Sequence, residues 1–102
     1  MIRHCVLCRF RDDVTQAQKA RVYASLDALK EIVPGILGAS FGPNASPEGL
    51  AKGFEDGFII DFEGAPARDA YLVHPDHRKA GGALVELLDG GTEGLMVFDL
   101  QV

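Results

Sequence analysis

Apolar and polar side chains alternate from Ile2 to Phe10, with His4, Val6, Cys8 and Phe10 on one side of an extended segment and Cys5 and Leu7 on the other. Arg11-Asp12-Asp13 breaks that period. Thr15 then stands where a helix N-cap belongs, and Gln18 completes the capping-box spacing. Val22, Leu26, Leu29 and Val33 follow as one helical stripe that Pro34-Gly35 stops. Ile36 to Phe41 predicts a short strand, Gly42 to Gly53 a polar loop, and Phe54 to Phe62 a strand with Phe58, Ile60 and Phe62 on one face and Ile59 on the other. Ala65 to Val73 reads as helix. Pro75 opens another, carrying Leu84, Val85, Leu87 and Leu88. Asp89-Gly90-Gly91 turns the chain into a last strand from Leu95 to Val102.

The order is β-α-β-β-α-β with the second helical region in two pieces. Two such crossovers predict an α+β, ferredoxin-like protomer: one four-stranded antiparallel sheet with its helices on one face. A sheet covered on one side alternates cleanly between apolar and polar positions. Here Leu7, Ile59 and Val97, or its neighbours Met96 and Phe98, leave both faces apolar. The helix-free face is therefore expected to pack against another sheet, most simply that of a second copy in a symmetric homodimer. Phe41, Phe54, Phe58, Phe62 and Phe98 are read as core.

With 102 residues the chain is expected to form a single domain, residues 1–102. A net charge of −5 and the lack of a Lys/Arg cluster argue against nucleic acid and against anionic membranes as partners. No apolar run approaches the roughly 20 residues that span a bilayer. Because His4, Arg9 and Arg11 interrupt the N-terminal apolar stretch, it does not read as a signal peptide, and a cytoplasmic location is expected. Cys5 and Cys8 form a C-x-x-C within a strand, where residues three apart point to opposite faces, so the pair is read as two ordinary thiols.

Chemistry concentrates in Tyr71-Leu72-Val73-His74-Pro75-Asp76-His77, which holds two of the three histidines and one of the two tyrosines. Imidazole titrates nearest neutrality, so two of them beside a phenol make a candidate proton-handling site. His4 lies on the strand face expected to meet the helices. His74 before Pro75 also fits a helix start, and Tyr71 on an apolar stripe also fits a core position. Three imidazoles suit zinc, but their spacing is a poor ligand set, and no metal is assigned.

Several landmarks occur in order: Ile2-Arg3-His4-Cys5-Val6-Leu7, Pro34-Gly35, Asn44-Ala45-Ser46-Pro47-Glu48-Gly49, Gly53-Phe54-Glu55-Asp56-Gly57-Phe58, the Y-x-x-H-P-x-H segment, and Val97-Phe98-Asp99. Together they resemble the stress-responsive A/B barrel (Dabb) family across nearly the whole chain. The resemblance implies a dimeric α+β barrel with a cavity between sheet and helices. It further implies that His77 and Tyr71 are catalytic and need no cofactor, and that His4, His74 and Asp56 contact a small hydrophobic, aromatic or polyketide-like ligand. Asp56 departs from the family, whose members frequently carry histidine there. A non-enzymatic stress-responsive dimer and a cofactor-free monooxygenase or isomerase of the dimeric α+β barrel superfamily are the alternative expectations.

Overall fold

The computed structural model describes residues 1–102. Its elements are β1 (Ile2–Cys8), α1 (Gln16–Asp27), β2 (Ile36–Pro43), β3 (Asp56–Phe62), α2 (Ala65–Val73), α3 (Pro75–Glu86) and β4 (Leu95–Gln101), with single 3-10 turns at Ala28–Glu31 and Gly91–Gly94. The strands form one antiparallel sheet in the order β2-β3-β1-β4. This is the ferredoxin-like arrangement that the alternation of elements predicts.

Local chemistry explains the boundaries. Thr15 Oγ1 accepts from the Gln18 amide at 3.1 Å, and the Gln18 side chain accepts in return from the Thr15 amide at 2.8 Å, so α1 begins with a complete capping box. The helix tightens into a 3-10 turn after Asp27, yet Leu29 and Val33 remain buried with Val22 and Leu26, so the apolar stripe survives the change of pitch. Gly35 follows with φ +91°, a left-handed backbone that Cβ-bearing residues rarely adopt. β1 stops two residues earlier than the alternation suggests, and Phe10 makes an isolated bridge to Leu88. β3 starts at Asp56 rather than Phe54, and Phe54 lies in the preceding loop with its ring 5.3 Å from the Arg9 guanidinium.

Strand register decides which residues reach the core. Opposed residues in an antiparallel sheet share a face, so His4 aligns with Ile60 on β3 and Asp99 on β4, and Val6 with Phe58 and Val97. His4, Val6, Cys8, Phe58, Ile60 and Phe62 are buried beneath the helices, where they meet Leu26, Tyr71 and Leu84. The opposite face carries Cys5, Leu7, Ile59, Met96, Phe98 and Leu100 and has no helix over it. Of the β4 residues that could make this face apolar, Met96 and Phe98 do so, whereas Val97 points to the helix side. Phe98 is accordingly not core: it is 62% exposed, because its parity sets it opposite Cys5 on the uncovered face. Cys8 is fully buried and Cys5 lies on the other face, and both are free thiols. No helix is long and apolar enough to cross a membrane.

Candidate functional site

β4 is an edge strand that the helices cover incompletely, and a cavity opens between it and α3. Its volume is about 350 Å³, and its walls include Val6, Phe58, Leu84 and Val97. His4 enters from β1, Tyr71 from α2 and His77 from α3, so three of the five site residues expected from the sequence share this cavity. A larger groove of about 590 Å³ runs between α1 and α3 on the outer surface, but its lining contains no histidine or tyrosine. The histidine cavity is the one in which apolar walls and proton-carrying groups coincide.

The aromatic groups are in mutual contact. The His77 ring centroid lies 4.3 Å from that of Tyr71, and the His4 ring stands edge-on to both Tyr71 (5.9 Å) and Phe62 (6.0 Å). Tyr71 is almost completely buried, and burial pushes its phenol above the ordinary range, so it is a neutral O–H at physiological pH. His77 Nδ1 lies 3.3 Å from the Leu72 carbonyl oxygen. A carbonyl only accepts, so this bond puts the proton on Nδ1 and leaves Nε2 with its lone pair free. Burial lowers the His77 pKa; the Leu72 carbonyl opposes that effect, while the charges of His4, Arg78 and His74 add to it. A neutral imidazole is therefore the resting form of His77. Gly81, one turn further along α3, keeps the space beside this ring open: a Cβ there would lie 4.0 Å from His77 Cε1 and Nε2.

His4 is held by a residue outside the set of expected site residues. Its Nδ1 lies 2.6 Å from Asp99 Oδ1, across the β1–β4 ladder. Asp99 Oδ2 accepts from Arg68 Nη1 at 2.8 Å, and Arg68 Nε donates to Asp69 at 2.9 Å. Burial works against ionising Asp99, but the bonds from Arg68 and His4 outweigh it and hold the carboxyl below the usual carboxylate range. A signal for Asp99 existed: it is an acid in an apolar strand at the parity of Leu95 and Val97. Arg68 lies three residues before Tyr71, close to its helical face, but only the fold brings it to β4.

The remaining two expected site residues lie elsewhere. His74 is the N-cap of α3, and its Nδ1 accepts from the Asp76 amide at 3.1 Å; it does not line the cavity. Asp56 begins β3 at the far end of the sheet and pairs with Lys19 at 3.1 Å, within a separate polar pocket. Its position follows from register: Asp56 is opposite Cys8, two residue pairs beyond the Val6–Phe58 pair that borders the cavity. No group of three or more His, Cys, Asp and Glu side chains is arranged to hold a metal ion.

An α+β sandwich of this topology, with a histidine-lined cavity beneath its helices, defines a ferredoxin-like protein of the A/B-barrel type. The chain belongs to the Stress responsive A/B Barrel Domain (Dabb) family, which it matches over residues 2–102. It is 24% identical over 98 residues to olivetolic acid cyclase from Cannabis sativa, a match covering 96% of this chain and 93% of that protein. Among solved structures it is similar to a dimeric ferredoxin-like protein of unknown function from Jannaschia sp. CCS1, with a TM-score of 0.92, 34% identity and coverage of 99% and 98% of the two chains. The fold also matches hydroxynitrile lyase from Passiflora edulis, with a TM-score of 0.85 at 19% identity, over 99% of this chain and 92% of that one.

Proposed function

We propose that the protein binds a small apolar molecule in the β4–α3 cavity and transfers protons to and from it without a cofactor, His77 acting as base and Tyr71 as hydrogen-bond donor. The observation that carries this reading is the pairing of opposite roles in one apolar space: His77 offers an unprotonated Nε2, and the neighbouring Tyr71 keeps its proton. A base that abstracts a proton next to a carbonyl needs a donor where the oxyanion develops, and a buried phenol meets that need. His4 extends the polar side of the cavity, and the apolar walls suit an aromatic or polyketide-like body. The similarity to olivetolic acid cyclase adds support for that substrate class.

The reading includes a homodimer built through the open sheet faces. Leu7, Ile59, Met96, Phe98 and Leu100 form an apolar face with no partner within the chain, and the Jannaschia relative is described as dimeric. His74 and Asp56 lie outside this cavity: the first caps α3 and the second is paired with Lys19.

Thermal shifts with a panel of aromatic and polyketide-like ligands, run beside a mass spectrum of the purified protein, test the proposal. Wild type is expected to be stabilised by at least one compound that fails to stabilise His77→Ala and Tyr71→Phe, with both variants folded. No compound stabilising wild type, or equal stabilisation of all three proteins, would remove the functional cavity and favour a structural dimer.

A further inference from the structure

The cavity holds one permanent charge, and that charge has no counterion in the protein. Arg78 belongs to its lining, whereas no aspartate or glutamate does. We infer that Arg78 is a specificity-determining residue that takes a carboxylate of the ligand, so that the molecule accepted is an apolar acid with its body against Phe58 and Leu84 and its carboxylate at the mouth. This inference rests on the acid–base reading of the cavity and adds to it the charge of the substrate.

Helical spacing places the group. α3 contributes His77, Arg78, Gly81, Leu84 and Val85 to the lining, positions i, i+1, i+4, i+7 and i+8 of one stripe. Exposure rises across that stripe: Leu84 is buried, His77 and Val85 are half-buried, and Arg78 is exposed. Arg78 therefore stands at the solvent edge of the cavity, one residue from the proposed base. Burial does most to disfavour protonation of His77, and the Arg78 charge acts in the same direction, so the guanidinium lies within electrostatic reach of that ring.

The other arginines show what Arg78 lacks. The chain carries 15 acidic residues against 10 lysines and arginines, so carboxylate partners are in excess. Arg3, Arg9, Arg11 and Arg68 each have one, at 2.9, 3.5, 3.0 and 2.8 Å. Arg78 has neither an ion pair nor a side-chain hydrogen bond; its amide donates to the His74 carbonyl as part of the helix. Arg21 also lacks an acid, but it lines the outer α1–α3 groove, where Asp76 and Glu86 share the walls. A guanidinium stays protonated and presents a planar fork of donors that matches a carboxylate two bonds at a time. One cation balances one charge, which fits a carboxylate better than a doubly charged phosphate monoester.

The test titrates the protein by NMR at about pH 8, where carboxylic acids are ionised and free imidazoles are largely neutral. The probes are 3-phenylpropanoate, 4-phenylbutanoate and their primary amides. Acid and amide of one pair match in size, so their affinity ratio reads charge. The net charge of −5 repels anions from the protein as a whole, so a preference for the acid requires a local cation. Wild type should bind the better acid roughly fivefold more tightly than its amide at low salt, and the ratio should shrink toward one in about 1 M salt. Arg78→Gln should bind both members alike, while Arg21→Gln, which changes the net charge equally, keeps the preference. The inference is overturned if wild type binds neither acid, if the amide binds as well as the acid, or if Arg78→Gln keeps the preference. Tighter binding of 2-phenylethyl phosphate than of either acid also overturns it, since the site would then be one for phosphate. Equal binding of acid and amide in the cavity leaves the acid–base reading intact. A preference that Arg78→Gln abolishes, with ligand stabilisation undiminished in His77→Ala, would remove that reading and keep this role of Arg78.

Discussion

His77 combines a buried ring, a fixed Nδ1–H and a neighbouring phenol, and its burial has a consequence for stability. In the unfolded chain its imidazole takes up a proton near the ordinary value of about 6.5, whereas in the folded protein it does so only at lower pH. Over that interval the unfolded state binds more protons, so stability falls as pH falls. Asp99 acts in the same direction at lower pH: its contribution is complete above the unfolded carboxylate range and is lost as pH drops through the depressed folded value. His77→Gln can still donate to the Leu72 carbonyl but does not titrate. Melting temperature plotted from about pH 7 to pH 5 should therefore decline less steeply in His77→Gln than in wild type. Parallel curves would show that this ring is not desolvated. Tyr71→Phe removes only the hydroxyl, so its stability in urea unfolding should lie within about 1 kcal/mol of wild type, while ligand-induced stabilisation is lost.

At the level of helices and strands, α3 shows how the fold trades rigidity for space. Gly81 and Gly82 sit inside a helix, where each costs roughly 0.5–1 kcal/mol relative to alanine. A Cβ at Gly82 would meet nothing within 4 Å, so Gly82→Ala should raise stability by about that amount without affecting binding. Gly81→Ala should stabilise similarly but weaken binding, because its methyl group would occupy the space beside His77. Urea unfolding together with ligand titration separates the two. Thr15→Ala, which dismantles the α1 capping box, should cost about 1 kcal/mol. Elements such as α1 and α2 were legible in the sequence because their signals are local: a capping box, a stripe, a stop at Pro34-Gly35. The inward face of β1 was equally legible from its alternation. Asp56 and His74 were harder to place, since the sequence shows proximity along the chain and not which end of the sheet a residue occupies. The Arg68–Asp99–His4 chain joins three elements distant in sequence: strand register aligns His4 with Asp99, and the packing of α2 on the sheet brings Arg68 to them.

For the assembled protein, the two faces of the sheet have different tasks: one closes the cavity with the helices, and the other is left apolar. Phe98→Asp places a charge at the centre of that second face, opposite Cys5. Sedimentation should show a dimer for wild type and a monomer for Phe98→Asp, and an intact dimer in the variant would exclude this face as the interface. The central claim, proton transfer by His77 in a cofactor-free cavity, is tested most directly by solvent exchange. An aromatic β-diketone is incubated with the protein in deuterated buffer containing a chelator, and loss of the signal from the protons between its carbonyls is followed by NMR. Wild type should accelerate exchange over buffer, and His77→Ala should lose roughly a hundredfold or more of that acceleration, as removal of a general base requires. Exchange no faster than in buffer, or equally fast with His77→Ala, would contradict the account.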